Sequence, residues 1–332
     1  MKIDVIIEGS TPETGAVAGR AEALGVAGIM IPEVAHDPFV PTALAATATT
    51  RIRLATGIAV AFARNPMNVA VVASDLHRLS GGRFALGLGT QIKPHITRRY
   101  SMPWSTPAAR MREFVAAVRA IWSCWEDGTP LDFRGDFYQH TLMTPMFSHG
   151  PSPCGWPTIH LAAVGPVMTA LAGEIADGLF THGFTTPAYV RDITVPQLEA
   201  GLARRGRDRR AVEVSCPAMC AVVDGDDDAR FAQMKSTIAF YGSTPAYRPV
   251  LEHHGWGALG DELHRLSREG QWQQMGTIVD DEVLHTFAAI GDVKTVATEI
   301  TERYGDAVDR IQLGMPADDR DTEALLDALQ TG

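Results

Sequence analysis

The chain has 332 residues, 45% of them hydrophobic and 20% charged, which is the composition of a water-soluble globular protein. With 29 Lys and Arg against 39 Asp and Glu, the formal charge is −10 and no basic tract stands out, so nucleic acid and anionic membrane surfaces are excluded as expected partners. The 4 cysteines are too few and scattered for a disulfide framework; Cys216 and Cys220 read as buried small apolar residues of a reducing compartment.

Lys2–Ile7 reads as a short first strand and not as a signal segment, because Asp4 and Glu8 interrupt its apolar run. No apolar stretch approaches the ~20 residues of a membrane span, so a cytoplasmic protein is expected. Thr11-Pro12-Glu13 opens a helix that Gly25 ends, and Gly28–Ile31 is the second strand. A loop from Pro32 through Glu33 and His36 to Asp37 leads into a helix at Pro41–Thr49. Leu54 to Val60 is the third strand. Asn65-Pro66 starts the next helix, whose Val69, Val72, Ala73, Leu76 and Leu79 recur at helical spacing. Ser80-Gly81-Gly82 stops it, and Phe84 to Gly89 is the fourth strand.

Lys93–Trp104 is irregular and polar. Thr106-Pro107 then opens a long helix with the apolar stripe Met111, Phe114, Val115, Val118, Ile121, Trp122 and Trp125. Asp132–His140 suggests a hairpin turning at Gly135, and His140–Trp156 a long loop. Thr158–Ala162 is strand five, with a helix from Val164-Gly165-Pro166. Gly178–Thr181 is strand six, followed by a helix at Pro187–Arg205. Val212–Ala218 is strand seven, with an extension to Val223 left open. Asp226–Phe240 is helical, and residues 241–284 read as a helical insertion with short helices near Leu259–Glu269 and Gln271–Ile278. Asp292–Tyr304 is a helix, Arg310–Gly314 is strand eight, and Thr322–Leu329 closes the chain.

Eight short apolar strands, each followed by a helical pattern, are the grammar of an α/β (β/α)8 barrel, here a single domain over 1–332 with a helical insertion after strand seven. An open doubly wound sheet needs a Gly-x-Gly-x-x-Gly after strand one, where Glu8-Gly9-Ser10-Thr11-Pro12 stands instead. In a barrel the site lies at the carboxyl ends of the strands: Glu8, Glu33 to His36, Thr56 to Ala59, Gly89 to Lys93, Ala163 to Pro166, His182 and Met315. These are mostly small residues and main chain, which suits a flat extended ligand and not a metal cage. His36, His95 and His182 are candidates for proton transfer, because imidazole titrates near working pH; for each, a satisfied structural histidine is the plain alternative.

The stretch Arg53-Leu-Ala-Thr-Gly-Ile-Ala-Val-Ala-Phe-Ala-Arg-Asn-Pro66, followed by Leu79-Ser-Gly-Gly-Arg-Phe-Ala-Leu-Gly-Leu-Gly-Thr-Gln91, resembles the bacterial luciferase-like monooxygenase family. The closer likeness is to its branch that uses the deazaflavin coenzyme F420, and it continues through Trp104–Thr141 and Thr158–Asp177. The resemblance implies an oxidoreductase that passes a hydride between F420 and a small organic substrate, with FMN, in a monooxygenase or reductase, as the alternative cofactor. It also implies a non-prolyl cis peptide at Gly57-Ile58, with Thr56, Gly57 and Ile58 under the ring and Gly89, Thr90 and Gln91 beside it. Ala163, Val164, Gly165 and Pro166 take the place of the turn that receives the cofactor phosphate. Pro166 offers no N–H, so Gly165, Val167 and Met168 are the expected donors. The plain alternatives are a trans bond at Gly57-Ile58 and an ordinary barrel turn at 164–166.

His182 is both a cofactor-site and a catalytic candidate, with Glu33, His36 and His95 the other catalytic ones. Sugar-phosphate dehydrogenases of the family carry an Asp-His pair after strand two, where this chain has Glu33 and Val34. Lys93, His95, Arg98 and Arg99 form the one basic cluster near the mouth, suited to an oligoglutamate tail, an anionic substrate or solvent alone. A metal-dependent barrel hydrolase needs His-x-His at the end of strand one, which Ile6-Ile7-Glu8-Gly9 lacks, so no metal is expected. A non-catalytic carrier of the cofactor is a further reading. A homodimer is expected, and residues 241–284, with Tyr247, His253, His254, Trp256 and Trp272, are expected to form a lid or a subunit contact.

Overall fold

The computed structural model describes residues 1–8, 12–223, 225, 227–314 and 319–331. The expected helix starts at Thr11 and Asp226 and the rim candidate Met315 after strand eight lie outside the described residues.

Eight parallel strands close into a barrel: strand one Lys2–Ile6, two Gly28–Ile31, three Arg53–Thr56, four Phe84–Gly89, five Thr158–Ala163, six Gly178–Thr181, seven Glu213–Pro217 and eight Arg310–Gly314. Each pairs with its sequence neighbour. Closure comes from Lys2 to Ile6 of strand one lying against Arg310 to Gly314 of strand eight. The core lies between the outward faces of the strands and the surrounding helices. The helix Pro107–Asp127 shows why: its whole predicted stripe, Met111 through Trp125, is buried, and Gly128 ends it in the left-handed region at φ 65°.

Inside the barrel the alternation of strand residues stacks side chains in layers. At the amino ends the layer is charged. Arg310 donates through Nε to Asp4 Oδ2 at 2.6 Å, and a second guanidinium nitrogen bonds Oδ1. Arg53 bonds Glu213 and reaches His160 Nε2 at 3.0 Å. His160 stacks on Phe180 with ring centroids 4.8 Å apart, and burial followed by the nearby Arg53 and Arg310 pushes its pKa well down, so it is neutral. Above this layer Met30, Ala55, Ala85 and Phe180 form a small apolar plug, with Ile6, Ile58 and Ala162 partly exposed on it.

Several segments differ from the sequence-based expectation, among them the third strand, which stops at Thr56 and resumes at Ala59, and the helix expected at 187–205, which is interrupted at Val190–Thr194 and ends at Ala203. The strand-seven run breaks at Ala218, and Met219–Val222 leaves the barrel to pair in parallel with Ala288–Gly291. The second helix starts earlier, at Phe39, because Asp37 Oδ1 accepts the Phe39 N–H at 2.9 Å. The polar stretch after strand four contains a single π-helical turn, His95–Arg99. The expected hairpin is present, with Phe133–Arg134 antiparallel to Gln139–His140. After strand seven come the helices Asp228–Gly242, Arg248–His253, Gly257–Arg268, Trp272–Thr277 and Asp281–Phe287. They share an apolar core of their own that includes Leu251, Leu263, Leu266, Met275 and Phe287, and Phe184 joins it from the loop after strand six.

Candidate active site

Strand three carries an irregularity at its carboxyl end. Leu54 pairs with Phe84 and Ala55 with Ala85, but Ala59 pairs with Leu88, so one extra residue is accommodated between them. The Gly57–Ile58 peptide bond there is cis. Ile58 is thereby turned onto the top of the apolar plug, where it stays partly exposed. Gly89 of strand four makes room for it, since a Cβ at Gly89 would stand 2.6 Å from Ile58 Cδ1. Extending the interior alternation beyond the plug in every strand places Glu8, Pro32, Gly57, Gly89, Ala162, His182, Pro217 and Gly314 around the same rim. Four of these residues are glycine or alanine, which leaves a shallow floor of main chain and methyl groups.

Glu33, at the end of strand two, fastens this floor. Its carboxylate accepts from the Val60 N–H at 2.8 Å, from Arg64 at 2.5 Å and from the Tyr100 hydroxyl at 2.8 Å. Its own N–H donates to the Ile58 carbonyl at 3.3 Å. With three donors on it, Glu33 positions the Gly57–Val60 segment and has no open proton-transfer geometry. Neither Arg64 nor Tyr100 stood among the residues expected at the site. Both are ordinary polar residues in sequence, and only the folding of strand three against the loop after strand four brings them to Glu33.

Two expected cofactor contacts face the other way. Thr56 is fully buried on the outer side of strand three, where its Oγ1 donates to the Gly87 carbonyl at 2.8 Å and accepts the Gly87 N–H at 2.9 Å. Ala163 is buried in the outer core, whereas its neighbour Ala162 faces the interior. The strand period of two dictates both corrections. Gly57, Ile58 and Gly89 do lie together on the floor. Thr90 and Gln91 follow on the rim, Gln91 with φ 58° and its Oε1 accepting the Ile92 N–H at 2.9 Å. Val164 and Gly165 precede a helix, Pro166–Ile175, that has no side-chain cap. The N–H groups of Val167 and Met168 in its first turn therefore face no intrahelical acceptor.

The three histidines are not brought into one hydrogen-bonded group. His36 is exposed in the loop after strand two. His95 is half-buried in the turn after strand four, and its Nδ1 is enclosed without a hydrogen-bond partner among the described residues. His182 is the interior residue after Phe180 and is held from both sides. Phe184 N–H donates to its Nδ1 at 2.9 Å, and its Nε2 lies 3.0 Å from the Tyr247 hydroxyl. The His182 ring stacks on Tyr247 with centroids 4.4 Å apart, and Tyr241 meets it edge-on at 5.0 Å. Burial pushes the His182 pKa down to about 4 and, with Tyr241 beside it, pushes Tyr247 up to about 12. Burial followed by nearby Glu8 raises Tyr241 as well.

Tyr241 and Tyr247 come from the helical insertion, where periodicity gives no sign of which aromatic residue reaches the barrel. His253 and His254 are engaged elsewhere, by Asp192 at 3.1 Å and Thr186 at 2.8 Å. No group of three or more His, Cys, Asp and Glu suited to a metal occurs among the described residues, and no described helix is long and apolar enough to cross a membrane. An open cavity of about 740 Å³ near Trp122 and Trp156 lies at the opposite, amino-terminal end of the strands. Its Arg119 and Arg207 already cap helix-end carbonyls of Ile175, Gly173 and Ala176, so it offers no comparable site.

Known proteins resemble this chain in sequence and fold. A model of the luciferase-like monooxygenase family matches residues 7–310. An uncharacterised protein of Mycobacterium tuberculosis is 52% identical over 315 residues, which cover 94% of this chain and 92% of that protein. A second Mycobacterium tuberculosis protein, named as a candidate coenzyme F420-dependent oxidoreductase, is 30% identical over 308 residues, 87% of each chain. The coenzyme F420-dependent tetrahydromethanopterin reductase of Methanopyrus kandleri has the same fold, with a TM-score of 0.82 over 99% of this chain and 98% of its own at 22% identity. From the family model spanning nearly the whole barrel, and from the relatives covering most of their own length, the chain belongs to the luciferase-like monooxygenase family.

Proposed function

We propose that this chain is an oxidoreductase that uses the deazaflavin coenzyme F420 to exchange a hydride with a small organic substrate. The observation that carries this reading is the floor formed by Gly57, Ile58, Gly89 and Ala162. It is flat, apolar and partly exposed at the catalytic end of a barrel, and a side chain at Gly89 would fill it. The relative named for F420 and the solved F420-dependent reductase support the choice of a deazaflavin.

Gly57 and Ile58 would lie against the ring, with Gly89, Thr90 and Gln91 at its edge. The free N–H groups of Val167 and Met168 would receive the phosphate, favoured by the positive end of the helix Pro166–Ile175. Lys93 and Arg98, exposed beside the mouth, would attract an acidic tail. When bound, the coenzyme supplies two-electron hydride chemistry at ring carbon C5. The chain's contribution is to hold, orient and dry the reacting groups. Glu33 keeps the floor in place through Val60, Arg64 and Tyr100, while Tyr241 and Tyr247 of the insertion cover the rim as a lid. The expected homodimer belongs to the same reading.

Gly89→Val tests it. The substitution displaces Ile58, which packs on the apolar plug and at the edge of the outer core. The circular dichroism spectrum is expected to stay unchanged while F420 affinity falls at least about tenfold, ~1.4 kcal/mol. Unaltered affinity contradicts the placement of the ring.

A further inference from the structure

We propose that the Tyr247 hydroxyl is the proton donor to the carbonyl oxygen of a ketone, aldehyde or enone substrate, and that His182 is the residue that positions it. The inference deepens the F420 reading above and rests on it.

The hydrogen bonds fix who donates. Phe184 gives its N–H to His182 Nδ1 at 2.9 Å, so Nδ1 carries no proton and the neutral ring holds its proton on Nε2. That Nε2 is 3.0 Å from Tyr247 Oη and donates to it. The Tyr247 oxygen is therefore already an acceptor, and its own proton has no acceptor among the described residues. The stack on His182 and the edge contact of Tyr241, 5.9 Å from the Tyr247 ring, restrict how the phenol can turn. His182 is the interior residue one step above Phe180, so the free O–H stands at the rim above the floor of Ile58 and Ala162. His182 is engaged through both ring nitrogens, so it has no proton to give to the substrate.

A hydroxyl with a fixed N–H behind it is suited to an oxygen that gains negative charge, because that N–H also stabilises the phenolate left behind. The step balances as follows. A hydride from C5 of the reduced deazaflavin would reach the carbonyl carbon, or the β-carbon of an enone, the C5–H bond breaking as the new C–H bond forms and the deazaflavin being left oxidised. The C=O π pair then moves to oxygen, displaced in the enone by the C=C pair, which shifts one bond toward the carbonyl carbon. The oxygen takes the Tyr247 proton as the O–H bond breaks, and Tyr247 regains a proton from solvent.

The test compares wild type with Tyr247→Phe, which keeps the ring. F420 affinity is read by fluorescence, the His182 tautomer by 15N NMR with His182→Phe for assignment, and turnover with reduced F420 on hexanal, acetophenone and cyclohex-2-enone. Expected are a protonated Nε2 and bare Nδ1 in wild type and turnover of at least one probe. In Tyr247→Phe, kcat is expected about 100-fold lower while F420 affinity stays within about threefold. A His182 proton on Nδ1, turnover of none of the probes, or a Tyr247→Phe kcat within about threefold of wild type overturns this inference alone. Failure of wild type to bind F420 overturns it together with the reading it rests on.

Discussion

Glu33 holds three donors from three different elements, and its side chain is only 5% exposed against 17% for Arg64. Removing it leaves the Val60 N–H and the Tyr100 hydroxyl without their acceptor and the Arg64 guanidinium with only Asp37 and the Val60 carbonyl. Glu33→Ala is expected to lower unfolding stability by about 3 kcal/mol in urea titrations; a loss below about 1 kcal/mol contradicts a fastening role. A second carboxylate makes a pH prediction. Against the burial that pushes Glu22 up, the N–H groups of Ile52, Arg51 and Thr50 and the Thr50 hydroxyl hold its pKa down at about 2. A folded pKa below the unfolded one means that the unfolded chain takes up the proton first. The stabilisation is thus complete above about pH 5 and is lost as pH falls toward 2. Glu22→Gln should flatten the acid limb of the stability curve by about 2 kcal/mol, a figure discounted for partial exposure. An acid limb identical to that of wild type contradicts it. Residues of this kind were not visible in the sequence, because a carboxylate that binds three main-chain N–H groups looks like any surface glutamate until the loop closes over it.

The helices after strand seven meet the barrel rim through the contact of Tyr247 with His182. Leu251, Leu263, Leu266 and Met275 pack with Phe184 and Phe287, so the helices have a core of their own and dock on the loop after strand six. Leu263 is fully buried there. Leu263→Ala is expected to cost about 3 kcal/mol from lost burial and the cavity left behind. Because the same helices carry Tyr247, the variant should also weaken the His182 contact, read as a shift of the His182 15N resonances. A destabilised variant with unshifted resonances would show that the insertion core and the rim are independent. The sequence pattern located two of these helices within two residues of their ends, because Leu259, Leu263 and Leu266 repeat at helical spacing. It missed the pairing of Met219–Val222 with Ala288–Gly291, since two short strands far apart in sequence carry no local signal for each other.

The barrel as a whole is closed by its first and last strands, and the buried Asp4–Arg310 pair joins them from inside, with side chains 2% and 3% exposed. Asp4→Ala leaves the buried Arg310 with only Glu213, 3.6 Å away and already bonded to Arg53, and is expected to cost about 3 kcal/mol. A near-neutral effect on the urea midpoint contradicts the view that this pair secures closure. Most of the architecture was legible beforehand. Eight apolar runs with breaks at glycine and proline gave the strands to within two residues at most ends, because burial on both faces imposes continuous hydrophobicity. The charged layer was not legible, as Asp4, Arg53, His160 and Glu213 are isolated polar residues within those runs, and only closure brings them together. Of the candidate site, Gly57, Ile58 and Gly89 were expected by family likeness, and they lie together at the end of strands three and four. Thr56 and Ala163 were misplaced by one residue, the smallest shift that turns a strand side chain to the opposite face.

Equilibrium titration of the purified chain with F420 and with FMN, followed by fluorescence, bears most directly on the central claim that the glycine-lined rim is built for a deazaflavin. Saturable F420 binding in the micromolar range or tighter, with FMN at least about tenfold weaker, is the predicted result. Tighter binding of FMN, or saturation by neither, contradicts it.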